Sequence, residues 1–435
     1  PMEVGAMTTK RFLFLALFIF AFSALFVSPR SLSASAIEEL WARVKKADSQ
    51  GLPKTAIEHL DDIVRTAKAK KNYPWLLKAL TARWTRRAQT SGNVPKERIL
   101  LAEKEISKAD KRVRPLLHTV LATWYWHYYQ RNRWRFKNRT ATKGLDDKDF
   151  TTWDLPKLFK RIGFHYEKAL RPKKWLGKMK IDLWKPFLEG GGTQSNLRFT
   201  LFDFIGHEAL NFYESNEQPT SKSFDAYEMD CNSGVFASTR KFIDFKPDTA
   251  DESSPLVKAI SLYQALLSFH EKRGNVDAVV DLELRRLQFV RNKSIGGNKD
   301  DKYLEALERL CKERIASPIV TMAFWKRALV YKQRNELVTA MKIARKGASL
   351  HPNSIGAKNC KSVINNIEQK ALSFTTERTV RPGTGTIAIN YKNITEVYLR
   401  IYRDRWDHFL RDKYTYAPDN LNEKTMQRLL DREQP

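Results

Sequence analysis

His207 and Glu208 begin the pattern H-E-x-x-H, whose helical spacing sets two imidazoles on one face to hold zinc beside a glutamate base. The fifth position is Asn211, so the second imidazole is missing and His207 reads as a core histidine. The three cysteines, Cys231, Cys311 and Cys360, are an odd count with wide spacing. They form neither a disulfide framework nor a zinc ligand set, and read as buried thiols with room for one disulfide. Gly190-Gly191-Gly192 and Gly383-Thr384-Gly385 lack the strand, following Lys-Ser/Thr and helix that make a phosphate loop. No G-x-S-x-G occurs, and no cysteine has the context of a known nucleophile. Catalysis needs a convergent set of groups. The sequence offers none, so the expectation is a protein that is not an enzyme, with no cofactor and no metal.

The most unusual segment is Trp124-Tyr125-Trp126-His127-Tyr128-Tyr129-Gln130-Arg131-Asn132-Arg133-Trp134-Arg135. Aromatics interleaved with arginines can stack on sugars or bases while the guanidinium groups bind anions. The same pattern also suits a helix with an aromatic core face and solvated arginines; Trp124, Tyr128 and Arg131 share a face that Leu117 and Leu121 extend. Packing is the expected role of the aromatics. Arg131, Arg133, Trp134 and Arg135 are the candidate surface for an anionic ligand or a partner. Asn138, Asn292 and Asn393 each open a glycosylation sequon, which matters only in a eukaryotic secretory pathway.

The elements around these residues are mostly helical. Apolar residues at helical spacing predict helices over residues 37–47, 73–87, 96–111, 116–134, 155–170 and 199–214. Gly51-Leu52-Pro53 breaks a first helical pair, whose second member carries Ala56, Leu60, Ile63, Val64 and Ala67 on one face. Residues 255–270, Gly274 and then Ala278 and Val279 give a second pair. The clearest lies over residues 319–352, with Ala328 and Tyr331 on one helix, Asn335 at the turn, Ala340 and Ala344 on the next and Pro352 closing it. That spacing fits the 34-residue tetratricopeptide (TPR) pattern, but the copies are divergent. Residues 135–151 and 187–196 read as loops. Beyond Leu372 the period falls from 3.6 to 2, predicting strands over 372–380, 386–391 and 396–402, and then a short helix near 423–431.

The 435 residues carry 42% hydrophobic and 11% aromatic side chains, enough for sizeable cores and unlike a disordered tail. Lys10 and Arg11 precede an apolar run over residues 12–27 and then the small-residue site Ala34-Ser35-Ala36. That order predicts a secretion signal cleaved after Ala36, with Met7 as the start. The formal charge is +28, of which about +26 remains after the leader. Between Leu101 and Lys180 there are 21 Lys/Arg against 8 Asp/Glu. In a secreted chain such a surface suits anionic envelope material rather than nucleic acid.

Several ordered motifs resemble the N-terminal region of large bacterial α2-macroglobulin-like proteins. They are Trp41 with Gly51-Leu52-Pro53-Lys54-Thr55-Ala56; Trp124-Tyr125-Trp126, Tyr128-Tyr129-Gln130 and Asn132-Arg133; Arg139-Thr140; Thr152-Trp153-Asp154; residues 199–204; and the pair running through Pro352-Asn353-Ser354, Cys360 and Ile367 to Asn390-Tyr391-Lys392-Asn393. The resemblance covers most of the mature chain. It implies a helical region followed by macroglobulin-type β-sandwich domains, in molecules that close on a protease after it cuts a bait segment. Some members carry a thioester at Cys-Gly-Glu-Gln; no cysteine here has that context, and no bait segment is identifiable.

The expected fold is mainly α: a TPR-like helical-repeat α-solenoid followed by a truncated β-sandwich-like segment. The expected organisation is a signal peptide over 1–36, a helical region over 37–217, an irregular insertion or linker over 218–254, TPR-like helices over 255–371 and a partial macroglobulin-type domain over 372–435. The expected partners are proteins, proteases or downstream macroglobulin domains, with no nucleic acid and no membrane span after cleavage. Secretion or a periplasmic location is expected. The alternative is a free-standing TPR-like module for an envelope protein or an anionic polysaccharide.

Overall fold

The computed structural model describes residues 29–90, 92–137, 149–188, 197–215, 217, 226–377, 383–399, 427 and 431. Its helices, in chain order, are α1 Pro29–Ser49, α2 Pro53–Ala69, α3 Tyr73–Thr90, α4 Val94–Ile106, α5 Arg114–Arg131, α6 Arg133–Lys137, α7 Leu155–Leu170, α8 Lys173–Leu176, α9 Leu201–Tyr213, α10 Thr239–Ile243, α11 Pro255–Glu271, α12 Val276–Lys293, α13 Lys299–Glu313, α14 Thr321–Gln333, α15 Leu337–Leu350 and α16 Ile355–Glu368. Two strands follow, β1 Ala371–Thr376 and β2 Ile387–Lys392. Most of the leader lies outside the described residues, and α1 runs through Ala34-Ser35-Ala36 without a break.

The long helices pack mainly on their neighbours in sequence, as in a solenoid. In α2, Ala56, Leu60, Ile63 and Ala67 recur at helical spacing and all are buried. The larger pair, Leu60 and Ile63, contributes about 1.5–3 kcal/mol of transfer free energy each. Caps set several starts: the Asp154 carboxylate accepts from the Lys157 N–H at 2.9 Å, and Asn275 and Ser354 do the same for α12 and α16. The turns within the last two pairs need a left-handed residue. Gly274 (φ 66°) and Asn335 (φ 62°) supply it, and both residue types tolerate that region.

The expected pair around Asn335 is present. Ala328, Ala340 and Ala344 are fully buried, so α14 and α15 approach closely. Gly356 continues the same logic: a Cβ there would fall 2.4 Å from the backbone of Thr321 and Met322, so α16 presses on the start of α14. Of the irregular insertion expected over residues 218–254, residues 226–254 are described; they are largely irregular but hold a short helix, α10, and bury Met229, Cys231, Val235, Phe236 and Phe242. Residues 199–214 were expected to form an amphipathic helix. Instead α9 is buried on nearly every side, between α7 and α11, as its almost continuous apolar sequence requires.

At the C-terminal end β1 and β2 pair antiparallel, with Leu372 opposite Tyr391, Phe374 opposite Ile389 and Thr376 opposite Ile387. Directly opposed residues share a face. One face is therefore apolar, made by Leu372, Phe374, Ile387, Ile389 and Tyr391. It is largely open: Phe374 is 49% and Tyr391 65% exposed. The hairpin is tied to α16 at its base, where the Asn393 amide donates to the carbonyls of Ile367 (2.7 Å) and Gln369 (3.2 Å) and the Lys392 ammonium to that of Asn366 (2.6 Å). Those carbonyls lie at or just past a helix end, where no intrahelical donor reaches them. The third expected strand does not form over residues 396–399; its remaining residues lie outside those described.

Candidate functional site

The expected anionic-ligand surface sits where α5 ends and α6 begins. Arg131, Arg133, Trp134 and Arg135 are all exposed and adjacent. Trp134 is 68% exposed, with the Arg135 guanidinium 5.0 Å from its ring centre. Arg133 is ion-paired with Glu217. The other aromatics of the segment are packed. Tyr125, Tyr128 and Tyr129 are buried, and Tyr125 and Tyr129 meet Phe150 and Phe159 edge-on at 5.0 Å. Their ring faces are not open to a ligand. The buried face runs through Leu117, Leu121, Tyr125 and Tyr128, with Trp124 half-buried at its side.

The His207 helix holds a guanidinium where a zinc ion would need to be. Arg285 donates to His207 Nδ1 and to Asn211 Oδ1, each at 2.8 Å, and also to the Glu214 carboxylate. Burial and the nearby Arg198 and Arg285 charges push His207 down to about 2, so it stays neutral. Among the described residues no group of three His, Cys, Asp or Glu side chains is placed to hold a metal ion. The three cysteines are free and buried, so the single disulfide for which the sequence left room is not formed. Burial pushes the thiols of Cys311 and Cys360 up to about 11 and about 12, the inert condition of core cysteines.

A different constellation emerges from three separated helices. Glu103 on α4, His118 on α5 and His165 on α7 form a chain. The His165 Nε2 lies 3.0 Å from Glu103 Oε1, and His165 Nδ1 lies 2.9 Å from His118 Nδ1. Arg161 donates to both Glu103 oxygens at 2.8 Å, and the Tyr125 hydroxyl donates to Oε1 at 3.0 Å. Burial alone would raise Glu103, but the His165 and Arg161 contacts outweigh it and hold its carboxyl at about 2. The ionised carboxylate accepts from His165 Nε2–H. The neutral His165 then accepts at Nδ1 from His118 Nδ1–H, and His118 Nε2 is left with a lone pair.

His118 lines a cleft of about 580 Å³, together with Lys111, Arg114, Phe164, Lys168 and Arg171. Burial, with the neighbouring His165 imidazole second, pushes His118 down to about 4, so it is neutral at pH 7 and a weak base. Ser107 lines the cleft too, yet no hydrogen bond joins its hydroxyl to His118. A nucleophile–base pair is not assembled. The chain of groups suits binding. It escaped sequence reading because its members lie 47 and 62 residues apart and carry no local motif.

No helix of the described residues is long and apolar enough to cross a membrane. Neither a scan of protein-family models nor a search of curated proteins finds a match for the chain.

Proposed function

We propose that the chain is the N-terminal region of a secreted or periplasmic α2-macroglobulin-like protein, a non-catalytic helical scaffold that positions protease-trapping β-domains. One observation carries this reading. The hairpin of β1 and β2 is fastened to the last solenoid helix through Asn393 and Lys392, yet its apolar face is open. A two-stranded hairpin is at best marginally stable in water, and an open face of this composition is suited to being covered by a second layer of strands. The occupant that fits is the remainder of a macroglobulin-type β-sandwich on the same polypeptide. The closely packed helices beneath supply the stiffness that a mounting needs.

Reading the coding frame downstream of Pro435 tests this. Several further β-rich domains in frame are the expected result. A stop codon directly after Pro435 would overturn it and favour the second reading, a free-standing module that uses the exposed Arg131, Arg133, Trp134 and Arg135 surface to bind an envelope protein or an anionic polysaccharide.

A further inference from the structure

We propose that the cleft between α4, α5 and α7 binds a protonated phosphate group, its charged oxygens held by Lys111, Arg114, Lys168 and Arg171 and its P–OH donated to His118 Nε2. The cleft collects five Lys and Arg side chains, counting Arg161, against one carboxylate. That carboxylate, Glu103, is saturated by Arg161, His165 and Tyr125, so it offers the cleft little free negative charge. Among the described residues no carboxylate pairs with Lys111, Arg114, Lys168 or Arg171. Arg114 instead donates to the carbonyls of Ser107 and Ala109, which fixes its stem at the mouth.

The chemistry is selective because an acceptor sits among the cations. Sulfate has only acceptor oxygens, so the His118 lone pair would face one of them. Hydrogen phosphate, or a phosphate monoester as its monoanion, can present an O–H to that lone pair and its remaining oxygens to the cations. The titratable and charged groups that line the cleft with His118 are Glu103 on α4, Lys111 just before α5, Arg114 at its start, and Arg161, His165, Lys168 and Arg171 on and just after α7. The Glu103–His165 pair holds the tautomer that keeps Nε2 an acceptor, as an outer-shell carboxylate fixes a ligating histidine. The volume exceeds that of a bare phosphate and leaves room for an organic carrier beside Phe164, which is 38% exposed and holds the Arg161 and Lys168 cations 5.0 and 5.3 Å from its ring centre.

Calorimetry on the whole chain with inorganic phosphate, a simple sugar phosphate monoester and inorganic sulfate, at matched ionic strength and neutral pH, tests the proposal. Phosphate-type ligands are expected to bind at least about tenfold tighter than sulfate. Tighter binding of the monoester assigns the site to an esterified phosphate, and tighter binding of the free ion to inorganic phosphate. Combined Lys111→Ala, Lys168→Ala and Arg171→Ala changes, all at exposed positions, should weaken phosphate about tenfold without affecting folding. His118→Ala should remove the preference over sulfate. Equal affinity for phosphate and sulfate, saturable binding of neither, or affinity unmoved by the triple change would overturn it.

Discussion

Replacing Arg286 by methionine should cost about 3–5 kcal/mol of folding stability, read as a fall in the urea midpoint at constant slope. Arg286 on α12 is fully buried. Its guanidinium donates to the carbonyls of Val235 and Ala237 and to the Glu283 carboxylate one turn away, and it lies 4.1 Å from the centre of the Phe242 ring. One side chain thus closes the carbonyls of a segment that is largely irregular and fixes it to the solenoid. Methionine keeps the stem's volume but leaves Glu283, only 3% exposed, as an uncompensated charge. Changing Glu283 to leucine in the same chain should recover much of the loss, because a buried pair removed whole is far less costly than one broken. A single change that costs less than about 1 kcal/mol would show that the apolar contacts of Val235, Phe236 and Phe242 hold the segment without the arginine.

Acid should unfold the chain sharply below about pH 6. His207 and His118 are held at about 2 and about 4, chiefly by burial, and His165 is lowered for the same reason. In the unfolded chain each would titrate near about 6.5. A folded pKa below the unfolded one means that the fold favours the neutral imidazole. Its contribution is complete above about pH 6.5 and shrinks as the pH falls toward the folded value. Each such histidine removes up to about 1.4 kcal/mol per pH unit, so His207 and His118 together approach about 3 kcal/mol per unit, against a usual total of about 5–15 kcal/mol. Glu103, held near 2, adds a further loss below about pH 4.5. Urea midpoints measured across this range should fall steeply, and His207→Gln should flatten the fall by about one proton's worth. Stability unchanged between about pH 7 and 5 would contradict the neutral, buried state of these rings.

Much of this architecture can be read from local sequence. The small residues at Ala328, Ala340 and Ala344 and the turn at Asn335 predict the close pair of α14 and α15, and the cap offered by Thr152-Trp153-Asp154 marks where α7 begins. These features act through residues a few positions apart. What was illegible depends on distant partners. Residues 226–254 carry no periodicity, yet Arg286 and Arg309 donate to their carbonyls from across the fold. The Glu103–His165–His118 chain arises only when three helices stack. The third expected strand shows the opposite error: alternation at Val397, Leu399 and Ile401 marks alternate faces but supplies no neighbour to pair with, and residues 396–399 form no strand.

Hydrogen–deuterium exchange over the whole chain is the most direct test that a finished helical mounting carries an open β-hairpin. The amides of α12, α14, α15 and α16 should stay protected long after those of β1 and β2 have exchanged, because the hairpin has one anchored end and, among the described residues, an open apolar face. Protection of β1 and β2 equal to that of α14 to α16 would contradict it. The hairpin would then be a complete element in its own right, with no need of further strands.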